Sequence, residues 1–283
     1  MPRRRDVVGL LAASAVVAFG TGVRPALAVG DASTNRIALA GRQRMLSQRL
    51  SRAALFMALE VERKTHLNML RRSRSVFDRT LKGLRSGDEG LNLSAATAEP
   101  VVAAIAEVES VWTAFDQMVA TIVDRGSVEE QEISAIARLN PTLLDLSNKV
   151  VTELTLLQDG SGTIVELNVA ARQRMLTQKM AKEAALIVAG FESIQNQINL
   201  KKTRDLFEAS HSALLHGLPS IQLPPPTPAV KAKLEEADVI WAEYRETVDR
   251  VIETGIASSY DLTRIAIRAD TLMDKMNEAV AVF

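Results

Sequence analysis

The sequence predicts an all-α fold, with two antiparallel four-helix bundles in tandem arranged side by side as a single-chain pseudo-dimer. Three observations lead there. Alanine, leucine, valine, isoleucine and methionine dominate, while only 4% of the 283 residues are aromatic and glycine is scarce, a usage that suits packed helices better than sheet. A ten-residue segment then recurs 130 positions downstream: Ala40 to Arg49 reads AGRQRMLSQR and Ala170 to Lys179 reads AARQRMLTQK, with seven identities. Finally, glycines, tryptophans and an asparagine follow the same offset, drifting to 129: Arg74 and Phe77 with Arg204 and Phe207, Gly87 with Gly217, Trp112 with Trp241, Gly126 with Gly255, Asn148 with Asn277. Colinear matches over four segments are the mark of a duplication.

The elements follow in order. Residues 1–28 read as an export signal: a charged start, an apolar run from Val7 to Phe19, and Ala26-Leu27-Ala28 as a small-x-small cleavage site. Arg3, Arg4 and Arg5 before Asp6-Val7-Val8 resemble a twin-arginine signal, with Val7 where phenylalanine is usual. Two homologous units come next, 31–157 and 163–283. Each opens on a long helix, expected from Ser33 to Glu62 and from Thr163 to Ala189. A second helix ends near Gly87 or Gly217. The loop after it spans Gly87 to Ala96 in the first unit and Pro219 to Pro228 in the second, where Pro224-Pro225-Pro226 cannot continue a helix. Thr227-Pro228 reads as an N-cap with proline at the first helical position.

A third helix carries Trp112 or Trp241 and stops at Gly126 or Gly255, suited to left-handed caps. A fourth is expected from Ser127, where Ser127-x-x-Glu130 has the form of a capping box, with a kink at Asn140-Pro141. In an up-down bundle the first and fourth helices end at the same pole, so the short link Gln158 to Gly162 lets the units stand side by side with their first helices facing each other. The rival, one continuous rod through Gly160-Ser161-Gly162, would place two glycines inside a helix.

Composition also excludes functions. Without the leader the chain holds 30 cations and 33 anions, so no global charge recruits nucleic acid. Cysteine is absent, which removes disulfides, thiolate metal sites and cysteine nucleophiles. His66, His211 and His216 lack metal-ligand spacing and are expected on the surface. No nucleophile–base pair, phosphate loop or carboxylate dyad is recognisable, so a binding protein without cofactor is expected rather than an enzyme. After the leader no stretch is apolar for a membrane span, which predicts an exported, soluble, periplasmic protein.

The duplicated segment carries the chemistry. From Asn35 to Leu59 there are five arginines, Arg36, Arg42, Arg44, Arg49 and Arg52, and no acid; Arg172, Arg174, Lys179 and Lys182 stand likewise among residues 167–182. Ion pairs along the helix are therefore unavailable. Gly41, Arg44 and Gln48 share one stripe, and Arg42 and Arg49 another. Two such stripes facing each other converge guanidinium groups, which repel unless an anion lies between them. The alternative is a basic face that is merely solvated or is paired with acids of neighbouring helices such as Glu107, Glu109, Glu235 and Glu236. Met45 and Met175 are read as core.

Ile37 to Arg49 closely resembles the opening helix of the type IV pili methyl-accepting chemotaxis transducer N-terminal domain, the PilJ-type domain, itself similar to the periplasmic sensor of NarX-type nitrate/nitrite kinases. Both units look like copies of it. The resemblance implies an anion held between the two first helices by the motif's glycine and by the arginine three residues later: Gly41 and Arg44 in the first copy, Ala171 and Arg174 in the second. The stripe adds Gln48 and Gln178, and the motif's later basic residue falls on Arg49 and Lys179. The family's asparagine before the Ala-Gly pair is Ala38 in the first copy and Asn168 in the second, while the glycine survives as Gly41 and becomes Ala171. Neither copy is complete, so the two could share one asymmetric site or one copy could be decaying. Arg-Gln at 42–43 and 172–173 follows the pilus-transducer version of the motif. The expected function is a periplasmic sensor-type protein that binds a small oxyanion, nitrate or nitrite, and signals to a membrane sensor or transport partner. The alternative is a protein-interaction module that docks a pilin or sensor without a small ligand.

Overall fold

The computed structural model describes residues 32–158 and 162–282. The leader and the middle of the interunit link lie outside them. Among the described residues the chain is eight long helices in two sets of four: α1 (Ala32–Ala58), α2 (Arg63–Ser86), α3 (Glu99–Arg125) and α4 (Glu130–Leu156), then α5 (Gly162–Val188), α6 (Ser193–His216), α7 (Pro228–Thr254) and α8 (Ser259–Val280). Within each set consecutive helices pack on one another and the first also packs on the fourth, closing an antiparallel four-helix bundle.

Helix ends follow the punctuation. Gly126 and Gly255 adopt left-handed φ of 72° and 67°, and their N–H groups bond Ile122 O and Val251 O. The Thr227 side chain caps α7 by accepting from the Val230 N–H, with Pro228 at the first position. Two expectations are corrected. Helix α4 is capped not by Ser127 but by Glu129, which forms a reciprocal box with Glu132, because the Ser127 hydroxyl and carbonyl are engaged by Arg125. The first helices also end earlier than expected, at Ala58 and Val188. There Glu62 and Glu192, at φ 46° and 43°, turn the chain into α2 and α6.

The duplication is visible in three dimensions. Gln43 Nε2 donates to Phe77 O at 2.9 Å, and its counterpart Gln173 Nε2 to Phe207 O at 3.2 Å. Phe77 meets Trp112 with ring centroids 4.1 Å apart, and Phe207 meets Trp241 at 4.4 Å. These aromatic clusters, with Leu70 and Leu200 fully buried beside them in sequence, form equivalent bundle cores. Pro141 lies inside α4, which runs through it as one helix. The loops after α2 and α6 hold short turns, Gly87–Ala95 pairing as a minimal hairpin around Glu89–Leu91.

The two bundles meet chiefly through α1 against α5. A Cβ added at Gly41 would stand 3.3 Å from the Ala171 Cβ, and Ala171 is the residue equivalent to Gly41. In a twofold contact a residue that touches its own equivalent lies on the axis, so the pseudo-twofold axis passes between them. Contact is this close because neither position carries more than a methyl group.

Candidate functional site

Around this crossing the fold gathers four guanidinium groups: Arg42 and Arg44 from α1, Arg172 and Arg174 from α5. Arg44 is 2% exposed and Arg174 9%. No ion pair engages any of the four among the described residues, although all of Glu107, Glu235 and Glu236 are paired elsewhere, with Lys149, Lys231, and Lys233 and Lys275. Three of the four acids that sequence offered as neutralising partners, all but Glu109, are thus spent on other cations. Burial, with Arg172 and Arg174 nearby, pushes the Arg44 guanidinium down to about 9. Burial and Arg42 push Arg174 down to about 10. Burial also lowers Arg42.

The two equivalent arginines differ in their partners. Arg174 Nη1 donates to Asn277 Oδ1 at 3.0 Å and only its Nε is buried without a partner. Arg44 has Nε and Nη2 buried without a hydrogen-bond partner, although Asn148 is the equivalent of Asn277. Instead Arg44 lines a cavity of about 360 Å³ together with Asn148, Val151 and Thr152 of α4, Asn168, Arg172 and Met175 of α5, and Leu206 of α6. The cavity therefore draws on both units. A groove of about 410 Å³ between α2 and α3 is lined by Arg71, Arg74, Asp78 and Asp116. There Arg74 Nε already donates to Asp116 Oδ1 at 2.6 Å and Lys82 pairs with Asp78, so both acids of the groove are already engaged.

The other residues singled out by sequence lie one to two turns further along α1 and α5, in a layer that ties the bundles together. Gln48 Nε2 donates to Ser47 Oγ at 3.1 Å, and Gln178 Nε2 to Ala269 O at 3.2 Å. Arg49 Nη2 lies 3.6 Å from Asp270 Oδ1. Lys179 bonds Glu183 and Thr203 within its own unit. The structure thus brings Gly41, Arg44, Ala171 and Arg174 together and sets Gln48, Arg49, Gln178 and Lys179 apart from the cavity.

The strongest link in that layer escaped sequence reasoning. Fully buried Arg52 donates from Nη2 to Asp270 Oδ2 at 2.8 Å, tying α1 to the other unit's α8. Lys182, the counterpart of Arg52, donates to Asn140 Oδ1 at 2.8 Å, tying α5 to the first unit's α4. Asn140 also donates to Ser47 O at 2.9 Å. Burial alone would raise the Asp270 carboxyl, but Arg52 and Arg49 outweigh it and hold it below its usual value. Burial pushes Lys182 down to about 8.

The histidines require a correction. His66 and His211 are buried at 2% and 4% exposure rather than on the surface. His66 Nδ1 bonds Val61 O at 2.8 Å, closing the α1–α2 turn, and His211 Nε2 bonds Asp238 at 2.9 Å. Both also lie against phenylalanine rings, Phe56 and Phe207. Their roles are structural.

Comparison with protein families agrees with this architecture. The model of the type IV pili methyl-accepting chemotaxis transducer N-terminal domain, PilJ, matches residues 26–137 and 157–263. The chain belongs to the PilJ family. The two matches begin at equivalent places ahead of α1 and α5, so this is a tandem PilJ chain. The family description is that of a sensor-type signalling domain. No curated protein matches the chain. None of its described helices is long and apolar enough to cross a membrane.

Proposed function

We propose that this tandem PilJ chain is a periplasmic sensor-type binding protein that takes a small oxyanion at the α1–α5 crossing, nitrate and nitrite being the inorganic candidates, and presents the bound state to a membrane partner. Ligand recognition, not catalysis, is its task. The observation that carries the reading is the set of four arginines at one helix crossing with no acid paired to any of them among the described residues. Like charges drawn together under partial burial are costly, and an anion between them would turn that cost into binding energy through charge-assisted hydrogen bonds. Gly41 and Ala171 permit the approach of the two helices, and Arg44 supplies N–H groups that have no other partner.

The test is thermal melting at constant ionic strength with chloride replaced stepwise by nitrate, nitrite, sulfate or succinate. A ligand at a hundred times its Kd adds about 2.7 kcal/mol to stability. A saturable rise with one anion, lost in Arg44→Ala, is expected; no anion-specific rise at millimolar concentration would sink the reading.

A second reading, a protein-docking module, draws on a different feature. At the pole where α5 turns into α6 and α7 into α8, Ile194, Ile256 and Tyr260 are 77%, 72% and 70% exposed. Their counterparts in the first unit are the polar Lys64, Ser127 and Gln131. A docking module without a ligand would melt at the same temperature in every anion, and the triple change Ile194→Lys, Ile256→Ser and Tyr260→Gln would abolish partner capture without altering that melt.

A further inference from the structure

Resting on the oxyanion reading, the pseudo-symmetry allows a sharper statement about the ligand. The cavity beside Arg44 has an equivalent position beside Arg174, and the two can be compared residue by residue. On the Arg44 side stand Asn148, Thr152 and Asn168. Their equivalents on the Arg174 side are Asn277, Ala281 and Ala38. Two of the three neutral polar groups are therefore missing there, and the third, Asn277, already holds Arg174 at 3.0 Å. On the Arg44 side more polar groups remain open: Arg44 Nε and Nη2 and Asn168 Oδ1 are buried without partners, against Arg174 Nε alone on the other side. A half-turn of that amide presents its Nδ2 donor to an anion instead.

Size narrows the ligand. A cavity of about 360 Å³ has room for roughly a dozen waters at about 30 Å³ each, and lies within the range of sites for small organic molecules. A four-atom inorganic anion would leave most of it filled with solvent. Its lining also has an apolar side, made by Val151 and Met175, both buried, and by Leu206, which is 43% exposed. An anion with no carbon skeleton makes no use of that wall.

We infer that the chain carries one ligand site, displaced from the pseudo-twofold axis to the Arg44 side, and that it takes a small organic carboxylate. The carboxylate group meets Arg44 and Arg172, Asn148, Asn168 and Thr152 supply neutral hydrogen bonds, and the carbon chain rests on Val151, Met175 and Leu206. Arg174 is the lesser counterpart, its Nη1 already held by Asn277 and only Nε left open.

Isothermal titration of the whole chain with butyrate, succinate and nitrate at fixed ionic strength tests this. One equivalent of butyrate or succinate is expected to bind at least about tenfold more tightly than nitrate, a difference of roughly 1.4 kcal/mol. Asn168→Ala and Thr152→Ala, which copy the residues the other repeat already carries and so keep the fold, should each weaken carboxylate binding several-fold. Asn277→Ala should leave it unchanged. Binding of two equivalents, nitrate binding as tight as either carboxylate, or an Asn277→Ala loss as large as that of Asn168→Ala would overturn the inference. Nitrate saturating in an Arg44-dependent manner while neither carboxylate binds would overturn this inference alone; no binding of any anion would overturn the oxyanion reading with it.

Discussion

Replacing Arg44 with methionine should stabilise the ligand-free protein, the opposite of what truncating a buried residue usually does. Arg44 is 2% exposed, two of its three guanidinium nitrogens have no partner, and no acid of the described residues forms an ion pair with it. An unsatisfied buried polar group costs about 1–3 kcal/mol. The fall of its guanidinium from the ordinary arginine range to about 9 corresponds to several kcal/mol at roughly 1.4 kcal/mol per pH unit, an upper bound on what its removal returns. Methionine fills much of the space with an adaptable apolar chain, and replacing buried charge by apolar groups of similar volume often stabilises by about 1–4 kcal/mol.

A gain of about 2 kcal/mol would raise Tm by roughly 4–8 °C in a chain of this size. The assay is circular dichroism melting at 222 nm in a zwitterionic buffer at pH 7, with and without saturating anion. The order should invert with ligand, because wild type gains binding energy and Arg44→Met does not. The sign with pH follows. Arg44 is depressed in the folded state, so the unfolded chain binds the proton better. The full penalty is present at pH 7 and is relieved as pH rises above about 9 towards the ordinary arginine range. A drop of several degrees for Arg44→Met in anion-free buffer would refute the reasoning, since it would mean that Arg44 is already satisfied.

Other perturbations test the scaffold. Gly41→Leu should cost about 1–3 kcal/mol by overpacking, since even a Cβ would stand 3.3 Å from both Ala171 and Arg44 Nη2; urea denaturation measures it, and Gly41→Ala should cost far less. Asp270→Ala strands buried Arg52 and should cost about 3–5 kcal/mol, read as a fall in the urea midpoint. The Asp270 carboxyl is held below its usual value in the fold, so its contribution is complete above the unfolded value of 3.8 and is lost as pH falls through the lower folded one; acid titration of wild type against Asp270→Ala should show this difference closing. Lys182 is depressed from 10.5 to about 8, so stability should rise with pH between those values by up to about 3 kcal/mol, and Lys182→Met should flatten that part of the profile in urea melts across pH 7.5 to 10.5.

Much of the fold is written in the chain because the duplication reports it twice. The repeated glycines at 126 and 255 mark turns whose left-handed φ a side chain would strain, and Thr227-Pro228 satisfies the first turn of α7 from within. The offset itself, together with the close pair Gly41 and Ala171, places the two first helices against each other. Ser127 misled because a hydroxyl before a glutamate has the form of a cap, whereas competition from Arg125 shifts that role to Glu129. His66 and His211 looked like surface residues because a single-residue reading does not reveal that their ring nitrogens have the Val61 carbonyl and Asp238 as partners.

The site was legible only in part. Arg44 and Arg174 stand out through their repetition, but Arg42 and Arg172 looked like a separate stripe, and only the packing of α1 against α5 brings all four together. Asn148 was visible as half of a repeated pair without a role, and Thr152 gave no signal. The Arg52–Asp270 and Lys182–Asn140 links join residues of different units far apart in sequence. No local pattern encodes such partners. Asn168 was, beside the Gly41–Ala171 difference, a clue to asymmetry, and its meaning depends on seeing that it lines the same cavity as Arg44.

The central claim is that an anion sits against the Arg44 guanidinium. Arginine side-chain ¹⁵N NMR, with the Arg44 Nε–H signal assigned by its loss in Arg44→Lys, watches that contact directly during titration with nitrate and with succinate. The account predicts a saturable shift of the Arg44 signal with at least one of these anions, while Arg174, held by Asn277, moves little. An Arg44 signal that stays fixed through millimolar anion of both kinds would contradict it.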